Sequence, residues 1–248
     1  FLQAENSIVT GTRLDIDGTW TAAGLLEKTT LDLSDVTVTG AHGLPRVVFQ
    51  LVGGAGVLSR ITVRDVARAG IVALEKADVT VSDSTITEVA SGHDARWGVG
   101  LYAVDATLTA SRVRVRGVGR AGAMAHTGAL VKLQDVEVHE VREATGFDVA
   151  QSPADGLVAV DGTIDANRVL VLGATRAGAL VERLDADSTM RLRDTTLRGG
   201  KLSVVVQGGG VFLDEGLTAT DNERDDVLID GGIYVDNSPL TPVEAAQP

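Results

Sequence analysis

VKLQDVEVHEV, residues 131–141, alternates apolar and polar side chains in two short runs separated by a polar pair, Gln134 and Asp135. Alternation with period two makes each run a strand with one face turned inward, and the polar pair a sharp bend between two strands. The pattern recurs as LDLSDVTVTGA (31–41), GVLSRITVRDV (56–66), VTVSDSTITEV (79–89), LTASRVRVRGV (108–118), IDANRVLVLGA (164–174) and MRLRDTTLRGG (190–200). Looser copies are LDIDGTWTAAG (14–24) and VFLDEGLTATD (211–221), so the chain carries nine copies whose starts lie 17 to 33 residues apart. A unit repeated at that interval is one supersecondary element that buries its apolar face only by stacking on its neighbours.

A third alternating run precedes most copies and opens on glycine: Gly70-IVALE, Gly98-VGLYA, Gly122-AMAHT, Gly156-LVAVD and Gly178-ALVER. Glycine there suits a backbone that takes positive φ as it turns into a strand. Three short strands per repeat is the geometry of a β-solenoid coil, and no stretch of 11 residues keeps a helical period.

These residues together, a Gly-apolar first strand, a DVTV-type strand and a two-residue turn, resemble the right-handed parallel β-helix family with the pectin-lyase-like repeat. The resemblance spans roughly residues 5 to 235. It implies an all-β fold, a single-stranded right-handed parallel β-helix of about eight to nine coils, each of three short strands. The domain is read as residues 1–236, with 237–248 as a proline-containing C-terminal linker or tail. The family includes polysaccharide lyases and hydrolases, tailspikes, adhesins and non-catalytic scaffolds. It also implies that ligands lie along the first-strand face, and that the chain belongs outside a bacterial cytoplasm: extracellular, on the cell surface or in the periplasm.

Composition narrows the partners. Apolar residues make up 44% of the 248 but aromatic ones only 3%, so Val, Leu, Ile and Ala fill the core. A formal charge of -12 opposes a nucleic-acid partner, whose phosphates need clustered Lys and Arg. No run approaches 18 apolar residues, so no membrane span is expected. There are no cysteines, hence no disulfides or thiolate metal sites. The opening FLQAENS shows no signal-peptide pattern.

Stacked coils turn equivalent positions into ladders about 4.8 Å apart. The second residue of the polar turn reads Asp35, Arg60, Asp83, Arg112, Asp135, Arg168, Asp194 and Glu215, with seven entries alternating in sign. Opposite charges stacked in this way favour the coil stack and require no ligand. Arg-bearing coils end in a short turn with the sequence RAG, at 68–70, 120–122 and 176–178. Intervening coils carry insertions at 90–98 and 142–156.

The insertions mark the candidate site, since a coil needs only a short turn to close. They offer His93, Asp94, Arg96 and Trp97 from one loop, and Glu143, Phe147, Asp148, Gln151 and Asp155 from the other. Between them an outward column is expected from Gln50, Leu74, Tyr102, His126, Val160, Glu182, Gln207 and Asp230. In that column Tyr102 and His126 are neighbours and the candidate catalytic pair, one of them taking a proton α to a uronate carboxylate. A companion stripe of Val48, Val72, Gly100, Met124, Val158, Leu180, Val205 and Leu228 is apolar. It is covered by the loops, lines a ligand groove, or joins a second copy in an oligomer.

No paired-carboxylate cluster, P-loop or histidine metal motif is present. The acidic run DNERDD offers Asp221, Asp225 and Asp226, with Asp230 beyond, as oxygen ligands for Ca2+, against a plain solvated turn. Three functions follow: a non-catalytic module for carbohydrate or protein binding or display, a polysaccharide lyase-like enzyme working between the insertions, and a self-assembling structural component.

Overall fold

The structure, a computed structural model, describes residues 2–18, 24–40, 47–91, 98–143 and 154–229. Among these residues every regular element is a strand; there is no helix, so none is long and apolar enough to cross a membrane. The strands wind through about nine turns of one parallel β-solenoid. The first three turns are Leu2–Glu5 with Ile8–Asp17, then Gly24–Thr39, then Val47–Ala67. The fourth is Ala69–Leu74, Asp78–Ser82 and Thr85–Ala90; the fifth is Val99–Val104, Thr107–Ser111 and Arg114–Val118. The sixth is Ala121–His126, Leu130–Gln134 and Glu137–Val141; the seventh is Asp155–Val160, Thr163–Asn167 and Leu170–Ala174. The eighth is Ala177–Glu182, Thr189–Arg193 and Thr196–Arg198, and the ninth is Leu202–Gln207, Val211–Glu215 and Thr218–Thr220. Arg224–Ile229 then pairs onto Leu202–Gln207.

Register follows the alternation read from the sequence. Val115 lies between Ile86 and Val138, and Leu133 lies between Ala110 and Ala166. The inward column of the third strands, Val63, Ile86, Val115, Val138, Val171 and Leu197, is fully buried, as is Leu58, Val81, Ala110, Leu133, Ala166 and Leu192 from the second strands. Each fully buried Val, Leu or Ile contributes on the order of 1.5–3 kcal/mol of apolar transfer.

The glycines that open the first strands have a different cause from the one expected. Gly70, Gly100, Gly122, Gly156 and Gly178 form a column, and none of them has φ in the left-handed region. A Cβ at each would sit 2.4–2.9 Å from the carbonyl oxygen of the next turn, at Gly100, Gly122, Gly156, Gly178 and Ser203 respectively. Close approach of successive backbones, not positive φ, selects glycine there. Gly98 does take the positive φ expected of it, +102°, and lies two residues before this column.

Left-handed conformation is used instead at the corners. Asp35, Arg60, Asp83, Arg112, Asp135, Arg168 and Asp194 all have φ between 44° and 55°. Aspartate tolerates this region and arginine does so less readily. Each arginine is held there by a two-point bond to the aspartate of the preceding turn. Arg60 donates to Asp35 at 2.6 and 2.8 Å, Arg112 to Asp83 at 2.6 and 2.8 Å, and Arg168 to Asp135 at 2.7 and 2.8 Å. The expected eighth rung moves: Asp194 aligns with Gly216, while Glu215 pairs with Arg193. A rung appears at the other end, where Arg13, at φ 55°, aligns with Asp35.

Candidate functional site

The outward side of the first strands carries two columns whose membership differs from the sequence reading. One is Gln50, Val72, Tyr102, Met124, Val158, Leu180, Val205 and Leu228; the other is Val52, Leu74, Val104, His126, Val160, Glu182 and Gln207. Tyr102 therefore stacks between Val72 and Met124, and His126 between Val104 and Val160. The two candidate residues are not ladder neighbours. The physical reason is the choice between Gly98 and Gly100: the glycine under which Gly122 packs is Gly100, which advances the register of the fifth turn by two residues. Val48 belongs to the solenoid core rather than the outer stripe.

Both candidates are also inaccessible. Tyr102 is 0% exposed and His126 2%, within a second apolar cluster built from Val72, Leu74, Met124, Val158, Leu180 and Val205. Of the stripe, Val72, Met124, Val158, Leu180 and Val205 are buried within the single chain, while Leu228 is partly exposed. His126 Nδ1 shares a hydrogen bond of 2.5 Å with Thr127 Oγ1. Of the other residues read from the insertions, His93, Asp94, Arg96, Trp97, Phe147, Asp148 and Gln151 lie outside the described residues, as does Asp230.

Two polar arrangements on this edge were not expected from the sequence, which offered Asp155 only as a residue of the 142–156 insertion. Asp155, 0% exposed, occupies a column that runs through Val47, Ala69, Val99, Ala121, Ala177 and Leu202 before ending on the exposed Arg224. Arg176 of the next turn, 6% exposed, grips it with Nε at 2.8 Å and with Nη2, and Ala177 N–H donates to it at 3.1 Å. Arg176 Nη1 is buried without a hydrogen-bond partner. A lone acid in a column of small apolar residues, followed one turn later by the arginine of RAG, was the available signal. Asp161 is the second. Its carboxylate accepts the N–H groups of Leu184 at 2.7 Å, Asp185 at 3.1 Å and Ala186 at 3.1 Å, pinning the turn that precedes Thr189–Arg193. Burial pushes this carboxyl up, but the three N–H donors, helped by nearby His126, hold it below the usual aspartate range.

The acidic run does not converge. Asp221 pairs with Arg198 at 2.7 Å, Asp225 accepts from Asn222 N at 3.0 Å and Nδ2 at 2.8 Å, and Asp226 pairs with Arg224 at 2.7 Å. Among the described residues no three His, Asp or Glu side chains gather as metal ligands. The side chains of Asp221, Asp225 and Asp226 are turned to separate partners.

Open concavities lie elsewhere. One crosses turns four to six, between the charge ladder and the third strands, and is lined by Asp83, Thr85, Arg112, Arg114, Asp135 and Glu137. Another lies at the corner of Gly173, Gly199 and Gly200, with Lys201 and Glu223. In the first, hydrogen bonds from Arg112 and Arg168 hold the carboxyls of Asp83 and Asp135 low, and Arg114 does the same to Glu137. The same bonds raise Arg112 and Arg114 above their already high values. No protein-family model matches the chain, and no curated protein matches it in sequence.

Proposed function

We propose that this chain is a non-catalytic module, a right-handed, pectin-lyase-like β-helix that binds carbohydrate or displays other domains outside the cytoplasm of a bacterium. The observation that supports this reading is the pairing of its exposed charges. General acid–base catalysis needs a group poised near neutrality. The ladder does the opposite: hydrogen bonds from Arg60, Arg112 and Arg168 drive the carboxyls of Asp35, Asp83 and Asp135 down and the guanidinium values up. Tyr102 and His126, the candidate proton acceptors, are buried and stand in separate columns. Repeating turns with exposed, evenly spaced polar side chains instead favour contact with an extended partner. A glycan array combined with a polysaccharide-cleavage screen on the intact chain tests this. Binding without cleavage is expected; turnover of any polysaccharide would overturn it.

A further inference from the structure

The cleft across turns four to six has a feature that the rest of the ladder lacks among the described residues: turn five places an arginine on each of its walls. Arg112 stands at the corner and Arg114 at the first outward position of the third strand, where the other described turns carry Asp15, Thr37, Thr62, Thr85, Glu137, Leu170, Thr196 and Thr218. The two guanidinium groups reach in opposite directions. Arg112 turns back to Asp83 through Nε and Nη2, and Arg114 turns forward to Glu137 through Nε alone, at 2.8 Å. The terminal nitrogens of Arg114, a side chain 60% exposed, therefore keep their N–H donors for a ligand. Thr85 lies beside Arg114 in the register and adds a hydroxyl.

Charge decides the class of ligand. The cleft is lined by Asp83, Asp135 and Glu137 with Arg112 and Arg114; Arg168, outside the lining, pairs with Asp135, so each of the three carboxylates is matched by a guanidinium group. A polyanion laid in the cleft meets three carboxylates, and a polycation the guanidinium groups of Arg112 and Arg114. A neutral ligand with closely spaced hydroxyls meets neither penalty and takes both the free donors and the remaining carboxylate lone pairs. Donor and acceptor rows repeat along the solenoid about every 4.8 Å, so a linear chain of hydroxylated units engages successive turns.

We propose that this cleft, with a volume of about 490 Å3, binds a neutral linear glycan through Arg114, Arg112 and Thr85 and the facing carboxylates. This assignment rests on the carbohydrate-binding reading above and gives it a location away from the first-strand face. No aromatic ring lines the cleft, so each contact is weak and binding strengthens with polymer length.

The test measures binding of soluble neutral β-glucans and xylans, with polygalacturonate as the charged comparator, to the intact chain and to three variants. Thr85→Val is expected to weaken binding a few-fold, and the charge-conserving double variant Arg114→Gln/Glu137→Gln about tenfold. Lys201→Gln, in the other concavity, leaves it unchanged. Amide shifts of the wild-type chain on adding glucan, expected at residues 84–85, 112–114 and 135–137, give a readout that does not depend on the variants folding. Wild-type binding with undiminished affinity in the variants and shifts elsewhere overturns the cleft while leaving carbohydrate binding intact. Preference for polygalacturonate overturns the charge-balance argument, and failure of every glycan to bind overturns both the cleft and the carbohydrate-binding reading, leaving display.

Discussion

Removing the Asp155 carboxylate isolates one buried charge and measures what holds turns seven and eight in register. Arg176 is 6% exposed and spends Nε and Nη2 on Asp155, with Nη1 already unpartnered, so Asp155→Ala leaves a guanidinium in an apolar column with little water to reach it. Breaking a buried pair by removing one partner costs about 3–5 kcal/mol, a large fraction of the stability of an ordinary domain. Arg176→Leu should cost a similar amount, because the carboxylate then keeps only the Ala177 N–H. The double variant Asp155→Ala/Arg176→Leu restores the column's own chemistry, Ala121 below and Ala177 above, and should lie within about 1 kcal/mol of wild type or above it. Urea unfolding followed by circular dichroism gives the three values, and hydrogen exchange at the Asp155 and Ala177 amides reports the same junction locally. Additive single changes, or an Asp155→Ala cost below about 1 kcal/mol, would refute the reasoning: the pair would then be solvated and the burial argument wrong.

Other tests address the ladder, the pinned turn and the glycine column. Arg60→Asp creates three stacked acids with Asp35 and Asp83; the melting temperature should fall modestly, and 1 M salt should remove most of the difference. Asp161, with its carboxyl held low, stabilises the fold above the unfolded-state value and loses that contribution as pH falls through the folded one. Protection of the Leu184, Asp185 and Ala186 amides, relative to intrinsic exchange at the same pH, should therefore fall below about pH 4, and Asp161→Asn should flatten that response. Gly122→Ala puts a Cβ 2.3 Å from Val138 Cγ1 and 2.7 Å from the Gly156 oxygen, which should cost about 1–3 kcal/mol or more in urea unfolding. Gly209→Ala, with open space around its Cβ but φ +78°, should cost less, and equal costs would contradict the close-approach explanation.

The strands, their inward faces and the repeat were legible in the sequence because alternation is local: each side chain's face follows from its neighbours two positions away. The alternating charges from Asp35 to Asp194 were legible for the same reason, since the two-residue turn marks one corner in every coil. What the sequence left open were choices between equally regular alternatives. Gly98-Val-Gly100 offers two glycines to align with Gly70 and Gly122, and only the approach of successive backbones selects Gly100, which separates Tyr102 from His126. At the last corner, Asp-Glu-Gly likewise offers two registers, and pairing with Arg193 assigns Glu215 to the strand and Gly216 to the turn. Burial of Tyr102 and His126, the grip of Arg176 on Asp155, and the direction in which each arginine reaches depend on side chains from different turns. Those contacts join residues more than twenty positions apart, so no periodicity encodes them, and the tertiary structure alone decides them.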